Sequence, residues 1–136
     1  MKRLLICLAL CLVATPALAQ NGKWITASGN LVIEIAPCGA ALCGTAIKVL
    51  SNHSMSDPSQ QLSGPSPLGV KILHDFTPSG DKTWTGQIYN RENGKTYRCR
   101  MAVLSDNELE IHPYVGIPLF GETQVWHRAD DASDPK

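Results

Sequence analysis

Residues 31–50, LVIEIAPCGAALCGTAIKVL, contain two short apolar segments joined by a glycine-containing loop. The first segment alternates apolar and polar side chains, and its apolar face carries Leu31, Ile33 and Ile35. We expect Asn30 and Glu34 to point to the opposite face, because a period of two is typical of a half-buried β-strand. The stretch therefore predicts an antiparallel hairpin.

The loop of this hairpin is flanked by two cysteines, Cys38 and Cys43. Closing so short a loop stabilises a fold by about 2 kcal/mol in the chain-entropy model. A redox pair would need a Cys-x-x-Cys spacing at the start of a helix, so we expect a structural disulfide. Cys99 alternates with Tyr97 and Met101, which predicts a buried free thiol; the alternative is that Cys99 pairs with one loop cysteine.

The first 19 residues have the pattern of a secretory signal peptide. Lys2 and Arg3 precede a short apolar run, and residues 17–19 form a small-x-small cleavage site. The run is too short to span a membrane. We expect cleavage after Ala19 and a periplasmic or secreted protein, in a compartment where disulfides form. Lipidation at Cys11 is the alternative, disfavoured by Leu10 before it.

The charge balance excludes several function classes. Without residues 1–19 the chain has 10 basic and 12 acidic residues, a net charge of about −2 with no basic footprint for nucleic acid. No later segment is apolar enough to span a membrane. We expect one domain over residues 20–129 and a flexible acidic tail over 130–136; the sequence leaves the oligomeric state open.

The rest of the domain consists of further strand-like segments with short turns. In one segment Val70, Ile72, His74 and Phe76 share a face, and Asn93-Gly94 predicts a two-residue type I′ hairpin turn. Only the Ser- and Pro-rich residues 51–67 lack periodicity, and they form either a solvated connector or a functional loop. About eight strands predict an all-β, small antiparallel up-and-down barrel; a two-sheet β-sandwich is the alternative.

Four short motifs, in order along the chain, resemble a bacterial secreted family known as domain of unknown function 2147. They are Gly22-Lys23-Trp24, Cys38-Gly39 with Leu42-Cys43-Gly44, Gly94-Lys95-Thr96-Tyr97 and Trp126-His127-Arg128. The resemblance implies a lipocalin-like barrel in the cell envelope, with no settled activity. The chain departs from the family at Ser66, where an arginine commonly precedes the loop proline, and at His112-Pro113, where the family tends to have Arg-Gly.

Gly22-x-Trp24 with an arginine on the last strand also resembles the signature of calycin barrels. That resemblance implies a structural role for Trp24 and Arg128, in which the guanidinium lies over the indole and bonds backbone carbonyls at the closed end. Such a contact is worth about 0.5–2 kcal/mol.

No catalytic or metal-binding constellation stands out. The four histidines lack the spacing of metal ligands, and Glu108 and Glu110 lie on one strand face instead of across a cleft. We therefore expect no catalytic residues, no metal and no cofactor. In small barrels, inward aromatic side chains fill the interior or line a ligand cavity, and the candidates for ligand contact are Trp84, Tyr89, Tyr97, Tyr114 and Trp126.

The function favoured by these observations is non-enzymatic binding of a small, partly apolar ligand. An envelope protein–protein interaction module, with the cysteine hairpin or the 51–67 loop as its contact, is the alternative. A hydrolase or isomerase using polar groups inside the barrel is the weaker alternative.

Overall fold

The computed structural model describes residues 20–54, 57, 59–116 and 121–129. The expected signal peptide (1–19) and acidic tail (130–136) lie outside these residues. The described chain forms eight β-strands: β1 (Gly22–Ile25), β2 (Leu31–Cys38), β3 (Ala41–Val49), β4 (Lys71–Gly80), β5 (Thr83–Asn90), β6 (Lys95–Ser105), β7 (Glu108–Tyr114) and β8 (Gln124–Arg128).

Each strand pairs antiparallel with the next, and β8 pairs with β1 to close the barrel. The closing ladder joins Trp24 to Arg128 and Ile25 to His127. The prediction of a small up-and-down barrel is confirmed, and the sandwich alternative is wrong. Within the described residues no helix is long and apolar enough to cross a membrane.

The core fills the barrel interior with inward side chains from alternate strand positions. Its fully buried residues include Ile33, Ile35, Leu73, Phe76, Cys99, Met101, Leu109 and Ile111. On β2 the predicted apolar face is present, with Leu31, Ile33 and Ile35 buried and Glu34 exposed; Val32, beside a register shift against β3, is also buried.

The alternation predicted for β4 is wrong after its first residues. Leu73 pairs with Ile88, but by Thr77 the strand has gained one residue relative to β5. Asp75 has a φ of 56°, and a residue in this conformation forms a bulge that redirects the following side chains. The bulge places both Leu73 and Phe76 in the core, with exposures of 0% and 1%, and leaves His74 half-buried.

The β5–β6 turn also differs from the predicted type I′ turn. That turn requires positive φ at both central residues, whereas Gly94 has a φ of 71° and Asn93 is not among the residues with positive φ. Residues 91–94 instead form a four-residue connection in which the Gly94 N–H donates to the Asn90 carbonyl at 2.8 Å. The hairpin itself is present where the sequence predicts it.

One end of the barrel is closed by the short turns and by residues 20–22, which precede and begin β1. The Cys38–Cys43 disulfide, predicted from the sequence, lies there with a Cα–Cα distance of 5.8 Å. Arg128 lies 4.0 Å from the centre of the Trp24 ring and donates to the carbonyls of Asn21 (2.6 Å) and Asp106 (2.8 Å). This is the arrangement that the calycin resemblance implies.

Candidate functional site

The opposite end of the barrel is open and carries a cavity. Four connections meet there: residues 26–30, 50–70, 91–94 and 115–123, of which the second is described except for 55, 56 and 58 and the last except for 117–120. Between them lies a cavity of about 320 Å³. Cavities that bind small molecules commonly start near this size.

The wall of this cavity is mainly aromatic and aliphatic. Four of the five aromatic residues singled out from the sequence line it: Tyr89, Tyr97, Tyr114 and Trp126. Leu31, Ile72 and Ile88 add aliphatic surface, and Asn90, Arg91, Glu122 and Gln124 are its longer polar side chains. The fifth aromatic candidate, Trp84, pairs with Pro78 and Met101 nearer the closed end; it packs against the core and does not line the cavity.

The floor of the cavity is the packed core. Met101, Ile111 and Leu73 have no exposed surface, and they lie on β6, β7 and β4 below the cavity-lining residues of the same strands. The cavity therefore occupies only the mouth of the barrel and does not extend to its closed end.

A second, polar cavity of about 850 Å³ adjoins the first. Its wall combines Ser28 and Asn30 from the β1–β2 turn with Ser51, His53 and Ser54 from the long loop, and with residues of the two connections opposite. Asn90, Glu122 and Gln124 line both cavities. We call this second cavity the polar groove.

Asn30 fixes the long loop to the barrel, a role that the sequence did not reveal. The expectation that it points to the polar outer face is wrong, because only 4% of the residue is exposed. Its Nδ2 donates to the His53 carbonyl at 2.6 Å, and its Oδ1 accepts from Ser51 Oγ at 2.6 Å. Its backbone carbonyl also accepts from Leu50 N at 2.7 Å. Asn30 precedes β2, so the strand pattern could not predict its surroundings.

The long loop is a small ordered hairpin where the structure describes it. Asn52 and Leu62 are joined by two hydrogen bonds of 2.7 Å, one from the Leu62 backbone and one from Asn52 Nδ2. Arg91 Nη1 donates to Asn52 Oδ1 at 3.1 Å, which ties the loop to the β5–β6 turn. At the tip, Asp57 Oδ1 accepts from the Ser59 backbone and hydroxyl, and these bonds lower the pKa of Asp57.

Cys99 lies on β6 as a free thiol with no exposed surface. Burial raises its pKa to about 12, against a smaller opposing effect of a backbone hydrogen bond with His112. At neutral pH the group is therefore a protonated thiol, and the thiolate is the nucleophilic form. This arrangement favours a packing role over a catalytic one.

Within the described parts of the chain, no group of three or more His, Cys, Asp or Glu side chains could hold a metal ion. The chemistry that the open end offers is apolar contact in the cavity and hydrogen bonding in the groove.

Comparison with known proteins matches this chain to one family and one solved structure. The family model is described as an uncharacterized protein conserved in bacteria (DUF2147), and it matches residues 22–128. No curated protein matches the chain. A Helicobacter pylori protein, described as belonging to the lipocalin family, shares 22% sequence identity with a TM-score of 0.64, covering 82% of this chain and 84% of that one. At this identity the likeness shows the fold.

Proposed function

This chain belongs to the bacterial family DUF2147, and we propose that it binds a small, partly apolar ligand in the cavity at the open end of its barrel. The observation that carries the proposal is the cavity of about 320 Å³ at the mouth of a barrel whose interior is otherwise packed. A lipocalin-like fold is consistent with such a role.

The size of the cavity limits the ligand. A volume of about 320 Å³ corresponds to about ten water molecules at about 30 Å³ each. Burying apolar ligand surface contributes about 25 cal/mol per Å², and the rings of Tyr97, Tyr114 and Trp126 offer flat apolar faces with polar tips. The expected ligand is a short chain or a small ring system, because a long lipid tail would meet the packed core.

The proposed place of action is the periplasm or the extracellular space. The charged and apolar pattern of residues 1–19 supports export. The Cys38–Cys43 disulfide is compatible with an oxidising compartment.

A pair of matched variants tests the cavity. Ile88 lines it and is 8% exposed, so Ile88→Trp should fill it and reduce binding of the neutral probe N-phenyl-1-naphthylamine at least about tenfold. Ile47 is 37% exposed on β3 and does not line the cavity, so Ile47→Trp should leave probe binding unchanged. Titration of probe fluorescence measures both effects.

The same variants also report on stability. Overpacking a filled core costs about 1–3 kcal/mol, whereas a side chain that enters an empty cavity costs much less. Ile88→Trp should therefore unfold within about 1 kcal/mol of the wild type in denaturant. Equal probe binding by both variants, or none by the wild type, would contradict the proposal. Native mass spectrometry of protein purified from its own periplasm would then identify a retained ligand.

The alternative of an interaction module centred on the cysteine hairpin has less support. The exposed large hydrophobic residues include Ile47, Leu68, Leu104 and Val115. None lies between Cys38 and Cys43, a segment that the structure describes completely. In the rest of the hairpin (31–50), Ile47 on β3 is the one member of this set, and a single exposed isoleucine does not form the apolar patch that a protein interface core commonly has.

A further inference from the structure

We propose that the ligand is a neutral amphiphile, with a short apolar tail in the cavity and a hydroxyl-rich head in the polar groove. This inference rests on the proposed function and adds the chemical class of the ligand. It is based on the position and the side-chain chemistry of the polar groove beside the apolar cavity.

The two cavities adjoin and share part of one wall. Asn90 at the end of β5, Glu122 before β8 and Gln124 at the start of β8 line both of them. The packed core blocks the other direction, since Met101 and Ile111 beneath the cavity have no exposed surface. A ligand whose tail fills the cavity therefore extends its other end towards the groove.

The groove is rich in groups that both donate and accept hydrogen bonds. Its exposed and half-buried amide and hydroxyl side chains are Ser28, Ser51, Asn90, Asn93, Thr123 and Gln124. Asn30 and Ser54 also line the groove, but they are buried and hydrogen-bonded to or within the long loop. An amide offers a carbonyl acceptor beside an NH₂ donor, and a hydroxyl offers both functions on one oxygen. The hydroxyl groups of a polyol or sugar match this mixture, because each of them also donates and accepts.

The charges of the groove disfavour an anionic head. Glu92 and Glu122 line it, and none of its described lining residues is a lysine or an arginine. Arg91 lines the apolar cavity instead, and its Nη1 donates to Asn52 Oδ1. A carboxylate or phosphate head would approach these two carboxylates, and the described lining of the groove offers it no lysine or arginine; His53 is the remaining ionisable residue of that lining.

A cationic head is a weaker match than a neutral one. Glu92 and Glu122 are both exposed, so water screens their attraction for a cation as it screens their repulsion of an anion. A cationic ammonium group has no acceptor atoms, so it could not bond the NH₂ groups of the amides, whereas a polyol could bond both their NH₂ and carbonyl groups.

A series of ligands with one octyl tail and different heads tests the inference on the full exported chain, each ligand being kept below its micelle concentration. The heads are glucoside (neutral polyol), carboxylate, trimethylammonium and a single hydroxyl, as in octanol. Isothermal titration calorimetry should give the tightest binding for octyl glucoside, about tenfold tighter than octanol, which corresponds to about two net hydrogen bonds. Octanoate should bind more weakly than octanol.

Two variants and one control test whether the head of the ligand lies in the polar groove. Ala27 is exposed and lines the groove but not the cavity, so Ala27→Trp should remove the advantage of glucoside over octanol while octanol binding persists. Ala40→Trp at the closed end is the matched control and should change neither ligand. Glu122→Lys should improve octanoate binding about fivefold or more, because a carboxylate in the groove then meets a cation.

The outcomes separate the two proposals. If all four octyl ligands bind equally and Ala27→Trp changes none of them, the assignment of the head is wrong while apolar binding in the cavity stands. If trimethylammonium binds tightest, the head is cationic and the inference is also overturned. If no octyl ligand binds and the naphthylamine probe does not bind either, both proposals fail together.

Discussion

Arg128 and Trp24 show how single residues determine the closed end of the barrel. The guanidinium lies 4.0 Å from the indole centre and bonds two backbone carbonyls from different segments. Trp24 Nε1 donates to the Gln20 carbonyl at 2.9 Å, so the buried indole keeps its hydrogen bond. Gly22 completes this arrangement, because its φ is 113° and an added Cβ would lie 2.8 Å from Arg128 Nη1.

Replacing Gly22 should therefore weaken the barrel more than replacing a glycine that has space around it. Gly22→Ala is expected to lower the free energy of unfolding by about 2–3 kcal/mol, from backbone strain and displacement of the guanidinium. Gly29→Ala is the matched control, since Gly29 also has positive φ (74°) but nothing lies within 4 Å of its Cβ position. Urea denaturation measures the difference; equal losses would show that the Arg128 contact contributes nothing.

Cys99 makes stability depend on pH in the alkaline range. Its folded pKa of about 12 is above the ordinary 9.0, so the unfolded chain loses this proton first as pH rises. Stability should be unaffected below pH 9.0 and then fall by up to about 1.4 kcal/mol per pH unit until the folded thiol ionises. Cys99→Ala removes the group. Urea midpoints of both proteins between pH 8 and 11 should diverge, and parallel profiles would contradict this account.

At the scale of elements, the long loop is held to the barrel by hydrogen bonds more than by apolar packing. Asn30 bonds the backbone or side chain of Leu50, Ser51 and His53, while Arg91 reaches Asn52 from the β5–β6 turn. Asn30 is buried, whereas Ser51 is half-buried and His53 exposed, so the bonds of Asn30 are partly shielded from water, and a buried partner left unpaired costs about 1–3 kcal/mol. The loop thus forms one wall of the polar groove.

Asn30→Ala should loosen the attachment of the long loop to the barrel. We expect the free energy of unfolding to fall by about 2–3 kcal/mol and cleavage by a nonspecific protease to increase within residues 51–62. Asn107→Ala, in the exposed β6–β7 turn, is the control and should leave cleavage unchanged. If the loop of the Asn30 variant remained as protected as in the wild type, the bonds from Arg91 and within the hairpin would suffice to hold it.

At the scale of the whole molecule, closure of the barrel depends on its shortest ladder. β1 and β8 share two residue pairs, whereas β5 and β6 share eight. The Ala129 N–H adds one bond to the Lys23 carbonyl at 2.9 Å. The contact of Arg128 with Trp24 stabilises this seam, because the two residues face each other across it.

The seam between β1 and β8 should therefore open before the rest of the barrel. In native-state hydrogen exchange, the amides of Ile25 and Ala129, which lie on the seam, are expected to exchange with a lower opening free energy than those of β5 and β6. Arg128→Lys, which loses the planar stacking, should lower protection at the seam and leave β5 and β6 nearly unchanged. Uniform protection around the barrel would show that it opens only as one unit.

Local patterns in the sequence predicted the repeating features of the fold. The apolar face of β2, the two cysteines flanking its turn and the position of the β5–β6 hairpin depend on residues close in sequence, and the structure has all three. The bulge at Asp75 could not be predicted, because the alternation of β4 continues through it in the sequence. The conformation of Asn93 could not be predicted either. An Asn-Gly pair does not tell whether the connection has two residues or four.

Periodicity and cysteine spacing are local properties, and they were enough to predict the all-β barrel, the disulfide and a set of aromatic candidates. The three-dimensional structure was needed to show that Tyr89, Tyr97, Tyr114 and Trp126 meet at one cavity while Trp84 lies elsewhere. It was also needed to show that Asn30 is buried beneath the long loop. These outcomes depend on the pairing of β1 with β8 and on which connections lie at the same end of the barrel. No pattern within a single segment predicts such long-range contacts.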